Sequence, residues 1–330
     1  MDKSIWNYLD FSPINISKEN QLTLNEGSTP LETITLSNQQ YLIKREDLNP
    51  SKSFKDRSIA FQLSYYLDNS ISEFVISSSG NAGISLIAFA KKYPKLQVHV
   101  FLSKTLGANK LLNLNSILDS NISVEEIRGS AETQIYISNN ITVYFSIKPK
   151  IHSLIFANTN NIKHLRPSHD DMAIVGYKSL GHELSDIKFN DLFMLCSSGN
   201  AFLGIHQGLM VTKSETDFTI NIIQTPNIHP ISSSLTPQKI EFEEQSEVNC
   251  IVDRIANRKK EILKHTKSQK AIGHIVYNSD IIRIRKILTE MNHEYCKFPS
   301  NTLASLAIAY KVYESQTNKV QIPLVIFSGI

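Results

Sequence analysis

The chain has 330 residues, which at about 150 residues per domain implies two compact lobes with enough length to bury a substantial core. Apolar residues make up 41% and charged residues 20%, both near globular averages, which argues against a disordered tail or a coiled coil. Lys and Arg number 34 against 31 Asp and Glu, and this balance of +3 is scattered along the chain, so the basic stripe of a nucleic-acid partner is missing.

Read in chain order, the pattern alternates. Glu73–Ser77 is a short apolar strand, Ile84–Lys92 a helix, Leu96–Leu102 a strand, Leu106–Leu118 a helix with Leu111, Leu114 and Leu118 on one face, and Ile122–Ile127 an alternating strand. The second half predicts helices at 171–186, 202–210, 252–265, 280–291 and 301–313, with strands at 192–196, 218–224, 274–277 and 323–327. This β-α-β succession predicts an α/β fold of two lobes, each a mainly parallel sheet flanked by helices. No repeat of 20 to 50 residues is present. The stretches 158–167 and 226–237, rich in turn formers, read as loops, the first as a crossing between lobes.

Cys196, Cys250 and Cys296 are odd in number and far apart, which fits a reducing compartment and neither a zinc site nor a redox pair. The N-terminus lacks the apolar core of a signal peptide, and no run approaches the roughly 18 apolar residues of a membrane span, so the expectation is a cytoplasmic protein with no membrane partner. His164, His169 and His182 show no metal spacing, and no metal is expected. Arg254, Arg258, Lys259, Lys260 and Lys264 read most simply as a solvated helix face.

Two strand ends run into small-residue turns followed by helical sequence: Ser77-Ser78-Ser79-Gly80-Asn81-Ala82-Gly83 and Ser197-Ser198-Gly199-Asn200-Ala201. Such a turn presents backbone N–H groups at the positive end of a helix, where each could hold a phosphate or carboxylate; each is also compatible with an ordinary capped loop. Neither has the glycine spacing of the Walker or dinucleotide fingerprints. A third segment, Lys44 to Arg57, precedes Ile59, Leu63, Tyr66 and Leu67 at helical spacing, with Ser51 or Ser53 as the cap. Lys55 falls in the first turn, where the macrodipole disfavours its charged form, as a Schiff-base amine requires. A solvated surface lysine is the plain alternative.

Together, Lys44-x-Glu46-x-x-Asn49-Pro50-x-x-Ser53-Phe54-Lys55-Asp56-Arg57 and Ser78-Ser79-Gly80-Asn81-x-Gly83 resemble the pyridoxal-phosphate (PLP) enzymes of the tryptophan synthase β-subunit type, fold type II. Leu24-Asn25-Glu26-Gly27-Ser28-Thr29-Pro30-Leu31 and Ser53–Arg57 narrow the resemblance to the threonine synthase family, and it runs with gaps from about Trp6 to the C-terminus. It implies a smaller α/β domain over 36–158, a larger one formed by 1–35 and 159–330, and the cofactor between the lobes. It further implies that Lys55 bonds pyridoxal 5′-phosphate and that Asn81 meets its 3′-hydroxyl. Ser198, Gly199, Asn200 and Ala201 would wrap the phosphate, Ser328 would meet the pyridine nitrogen, and Ser78, Ser79 and Ala82 would hold the substrate carboxylate. The activity implied is conversion of O-phospho-L-homoserine and water to L-threonine and phosphate, acting on a small amino-acid substrate; many relatives are homodimers.

The chain departs from that pattern in places. Lys52 stands where the family has Gly, the phosphate turn has a single Gly, and Phe298-Pro299-Ser300-Asn301-Thr302 replaces a Glu-Pro-x-Ser-Ala element. Ala173 stands three residues before Gly176-Tyr177-Lys178-Ser179, where the family has a phosphate-binding Arg, and the nearest Arg, Arg166, is taken as a substrate-binding candidate in its place. These departures keep two alternatives open: a serine/threonine dehydratase or β-replacement enzyme, and a PLP-binding pseudoenzyme.

Overall fold

The computed structural model describes residues 4–9, 14–78, 80–129, 134–214, 217–237, 239–267, 270–314 and 321–329. In chain order the elements are β1 (Leu31–Leu36), β2 (Gln39–Arg45), α1 (Lys55–Asp68), β3 (Glu73–Ser78), α2 (Asn81–Lys92), β4 (Gln97–Ser103), α3 (Ala108–Leu118), α4 (Val124–Gly129), β5 (Gln134–Ser138), β6 (Ile141–Ser146) and α5 (Pro149–Asn160). There follow β7 (Lys163–Leu165), α6 (Asp171–Glu183), β8 (Asp191–Leu195), α7 (Asn200–Leu209), β9 (Thr219–Gln224), α8 (Ser232–Leu235), α9 (Lys259–His265), β10 (Ala271–Ile275), α10 (Asn278–Glu290), α11 (Ser300–Tyr313) and β11 (Pro323–Phe327).

The chain groups into two compact units, Met1–Ser28 with Asn49–Ser179, and Thr29–Leu48 with Leu180–Ile330. These bounds differ from 36–158 and from 1–35 with 159–330. Ile5, Leu9, Ile16 and Leu22 lie in the core of the first unit, and Trp6 stacks on Phe61 at 5.7 Å, so the N-terminal segment belongs there. Residues 29–48 go with the second unit because β2 joins its sheet.

The first unit is built on a five-stranded sheet in the order β5-β6-β4-β3-β7, parallel except for β5. Its strands bury Phe74, Ile76, Val98, Val100 and Leu102 against Ile84, Ile87 and Phe89 of α2 and Ile59 and Leu63 of α1. Parallel strands covered by helices need apolar side chains on both faces, which the near-continuous apolar run of β4 supplies. All four parallel strands end at the same sheet edge, where ligands of open α/β sheets bind.

The second unit has a six-stranded sheet in the order β1-β2-β11-β8-β9-β10, in which only β1 is antiparallel. Ser37 and Asn38, with φ of 48° and 64°, close the β1–β2 hairpin as a two-residue turn whose twist suits the strands. Both sheets are thus mixed within an α/β fold, as the alternating pattern implied.

Local patterns mislead where short-range chemistry competes. Ile122–Ile127 does not form a strand; α4 occupies most of it. Ser123 Oγ accepts from the Glu126 N–H at 3.1 Å while the Glu126 carboxylate accepts from the Ser123 N–H at 2.7 Å, a capping box that starts a helix. The stretch 158–167 is not one loop: α5 continues to Asn160, Asn161 ends it at φ 54°, and β7 then pairs with β3. Within 252–265 only α9 is helical, because Asp253 Oδ1 accepts the N–H groups of Ile255 and Ala256 and turns the chain before it.

Candidate active site

In the first unit the segment after Asn49 is pinned before α1 begins. The Asp56 carboxylate accepts the Ser51 N–H at 2.7 Å and the Ser51 hydroxyl, and the Lys52 N–H donates to the Asn49 carbonyl at 2.7 Å. Lys52 has φ of 63°, so this position keeps a glycine-like backbone with a lysine in place. Lys55 is the first residue of α1; the N-cap position is Phe54, with no side-chain cap, so neither Ser51 nor Ser53 takes the expected place, although the Lys55 N–H donates to Ser53 Oγ at 3.3 Å. The half-buried Lys55 side chain points to Tyr177: Nζ donates to Tyr177 Oη at 3.0 Å and sits 4.6 Å from the Phe54 ring centroid.

Tyr177 is the residue that sequence reasoning overlooked. It is 1% exposed, and Ser58 Oγ lies 3.1 Å from its hydroxyl while donating at 3.0 Å to the Lys55 carbonyl. Its position depends on Gly176: a Cβ there would lie 2.8 Å from Ser58 Cα, so only glycine lets α6 approach α1 this closely. Arg57 is fully buried and donates to Ser179 Oγ at 3.0 Å, fixing the same approach. A Gly beside an aromatic in a helix was the available signal.

At the carboxyl end of β3, Gly80 adopts φ of 142° and leads into α2, which has no side-chain cap. Asn81 and Ala82 open that helix half-buried, and Ser78 Oγ accepts the Gly80 N–H at 3.1 Å; Ser79 lies outside the described residues. Gly83 brings the helix onto the sheet, since a Cβ would lie 2.9 Å from Val100 and 3.0 Å from Leu102. Over Gly80 lies Lys110 of α3, whose Cδ and Nζ are 2.5 and 3.2 Å from where a Cβ would stand. Arg166 directly follows Leu165, which pairs with Ile76 of β3, so it leaves the sheet at the same edge. It is exposed and lies 3.2 Å from His169 Nε2. Ala173 is fully buried in α6.

Below α1, Glu26 is completely buried. Its Oε2 accepts from the Leu24 N–H at 2.7 Å and Thr23 Oγ1 at 3.0 Å, whereas Oε1 has no hydrogen-bond partner among the described residues. Burial above all, with the nearby Asp56 charge adding to it, raises its pKa from 4.5 to about 7.

In the second unit the turn after β8 repeats the arrangement. Gly199 has φ of 102° and opens α7, which likewise has no side-chain cap, and Asn200 and Ala201 form its first turn. Ser198 precedes them, half-buried. Ser328 follows β11, the parallel neighbour of β8, so it shares that sheet edge. There Phe327 is buried and the Gly329 carbonyl accepts from Thr302 Oγ1 at 2.8 Å. Residues 44–47 of the lysine motif are structural in this unit: Lys44 pairs with Glu183 at 2.7 Å and Arg45 with Glu32 and Asp47 at 2.7 and 2.8 Å.

Each unit therefore carries a strand-to-helix turn with positive-φ glycine and an uncapped helix N-terminus, and the first also carries a lysine at the head of a helix. The family described as pyridoxal-phosphate dependent enzyme matches residues 22–290. The chain belongs to that family, and its cofactor is pyridoxal 5′-phosphate. A threonine synthase of Methanosarcina acetivorans is 24% identical over 158 residues, which are 43% of this chain and 38% of that protein. The match thus spans well under two thirds of that relative's length. Among solved structures, an O-ureido-L-serine synthase superposes with a TM-score of 0.69 at 12% identity, covering 100% of this chain and 92% of that one. A fungal L-serine ammonia-lyase from Rhizomucor miehei gives 0.67 at 14% identity, covering 92% and 93%. At such identities the shared property is the fold.

The residues fit the cofactor. It needs an amine, a seat for a dianionic phosphate and a partner for a ring nitrogen. The first unit offers Lys55, and the second offers the start of α7 behind Gly199 and the Ser328 hydroxyl.

Proposed function

We propose that the protein is a PLP-dependent carbon–oxygen lyase of the threonine synthase type, converting O-phospho-L-homoserine and water to L-threonine and phosphate. The observation that carries this reading is the pair of cations, Lys110 and Arg166, at the sheet edge where the uncapped α2 begins. Such an edge suits a substrate with a carboxylate and a second anionic group.

When bound, PLP supplies an electron sink for negative charge at the substrate Cα. Lys55 would hold the cofactor through Nζ, Asn81 would face its 3′-hydroxyl, Ser198 to Ala201 would take the phosphate, and the Ser328 hydroxyl would serve the ring nitrogen. As a free amine, Lys55 Nζ would take one proton from Cα and one from Cβ and return one to Cγ and one to Cα. Tyr177 Oη holds that amine in place between transfers. Ser78, Ser79 and Ala82 bind the substrate carboxylate, and Arg166 with Lys110 binds its phosphate, which leaves from Cγ while water adds at Cβ.

A second reading, a serine/threonine dehydratase or β-replacement enzyme, is favoured by Ala173, which is buried where a phosphate-binding Arg would stand. The test is phosphate release from O-phospho-L-homoserine by the PLP-loaded protein, with Lys55→Ala as the blank. Release that depends on Lys55, with threonine in equal amount, supports the first reading. Keto acid from serine or threonine, without phosphate release, replaces it with the second. No turnover of any of these substrates refutes both and leaves a pseudoenzyme.

A further inference from the structure

The basic segment from Arg254 to Lys264 has no part in the reading above, yet the second unit folds it onto the turn after β8. Ser197 Oγ accepts the N–H groups of Val252 and Asp253 at 3.1 and 3.2 Å. A Cβ on Gly199 would lie 2.5 Å from Ile262 Cδ1 and 2.8 Å from Arg258 Cβ, so the segment lies directly against the glycine. Arg258 Nε donates at 2.9 Å to Oδ1 of Asn200, the buried first residue of α7. The segment is thus a strap across the turn, and Arg258 is the charged residue that bonds the start of α7.

The charge is what calls for an explanation. The start of α7 is already the positive end of a ten-residue helix with no side-chain cap. A guanidinium beside it is unfavourable unless an anion sits at the helix end. Glu261 offsets part of this through Nη1 at 3.3 Å, but it lies one turn along the strap. The Nε contact goes to Asn200 and fixes the first residue of α7, behind a turn that holds a single glycine.

We infer that Arg258 is a positioning residue for the phosphate of the cofactor, holding Asn200 and bringing positive charge to an anion seated at the start of α7. This rests on the reading that Ser198 to Ala201 take that phosphate, and the experiment separates the two. Equilibrium dialysis of the full-length apoprotein measures affinity for PLP and for pyridoxal, which has the same aldehyde and ring but no phosphate. Arg258→Gln should weaken PLP about tenfold and leave pyridoxal unchanged, the effect of losing one charge-assisted interaction. Arg258→Lys keeps the charge and should hold the PLP to pyridoxal ratio within about threefold of wild type. Ser198→Asp puts a carboxylate in the turn and should collapse the ratio.

An unchanged ratio in Arg258→Gln, or equal weakening of both ligands, overturns the inference. If Ser198→Asp also leaves the ratio intact, the phosphate is not bound at this turn and the underlying reading falls with it. If Ser198→Asp collapses the ratio and Arg258→Gln does not, only the role of Arg258 is lost. Should Arg258→Gln fail to fold, as judged by circular dichroism, Arg258→Lys decides: a fall in the ratio as large as that of Ser198→Asp refutes the part played by charge.

Discussion

Glu26→Gln should remove a pH dependence that the wild-type protein carries. The carboxyl is fully buried, its Oε1 lacks a partner among the described residues, and burial raises its pKa from 4.5 to about 7. Below 4.5 both folded and unfolded forms are protonated, and above 7 both are ionised. Between these limits the folded form keeps a proton that the unfolded form has released, so stability falls as pH rises, by about 1.4 kcal/mol per unit. Across the window the loss is about 3 kcal/mol. Glutamine has the same shape and no charge, so the variant should match wild type near pH 4 and exceed it by about 3 kcal/mol near pH 8. Urea unfolding of the apoprotein at several pH values measures this, without the stabilisation that cofactor binding adds. The single tryptophan is a suitable probe, because Trp6 stacks on Phe61 and donates to the Leu22 carbonyl at 2.9 Å, inside the unit that holds Glu26. Titrations common to both proteins cancel in the difference. A difference that stays constant from about pH 4 to about pH 8 would refute the buried, proton-holding carboxyl.

Two further predictions concern the surroundings of Lys55. Tyr177→Phe removes the hydroxyl that Lys55 and Ser58 share; stability should fall by about 1 kcal/mol, and the visible absorption of the bound cofactor should titrate at a different pH. An unaltered spectral titration would show that the hydroxyl does not hold Lys55. Gly176→Ala places a methyl 2.8 Å from Ser58 Cα, against backbone that cannot rotate away, and should cost about 1–3 kcal/mol in the unfolding followed by Trp6. Wild-type stability in that variant would contradict the close approach of α6 to α1.

Much of this protein is legible in the sequence alone. The alternation of apolar strands and amphipathic helices is local, so β3, α2, β4, α3, β8, α7, β9, α10, α11 and β11 can be read close to their observed places. The two small-residue turns are equally local, because a Gly between a strand and a helix leaves its mark in a few consecutive residues, and both Gly80 and Gly199 do adopt positive φ. Lys55 at the head of α1 follows from the Ser-x-Lys spacing and the apolar helix behind it.

What the sequence does not yield depends on partners far along the chain. The hairpin β1–β2 belongs with the second unit because β2 pairs with β11, some 280 residues away, and no window of sequence contains both strands. The motif from Lys44 to Arg57 reads as one segment, yet residues up to Leu48 fold with one sheet and those from Asn49 with the other. Tyr177 comes to Lys55 across 122 positions only because Gly176 admits α6 against α1. The strap that sets Arg258 on Asn200 reads in sequence as a solvated basic helix. Composition and periodicity settle which segments become strands, helices and turns, since those depend on near neighbours. The pairing of strands and the meeting of side chains are decided by burial, which only the tertiary fold distributes.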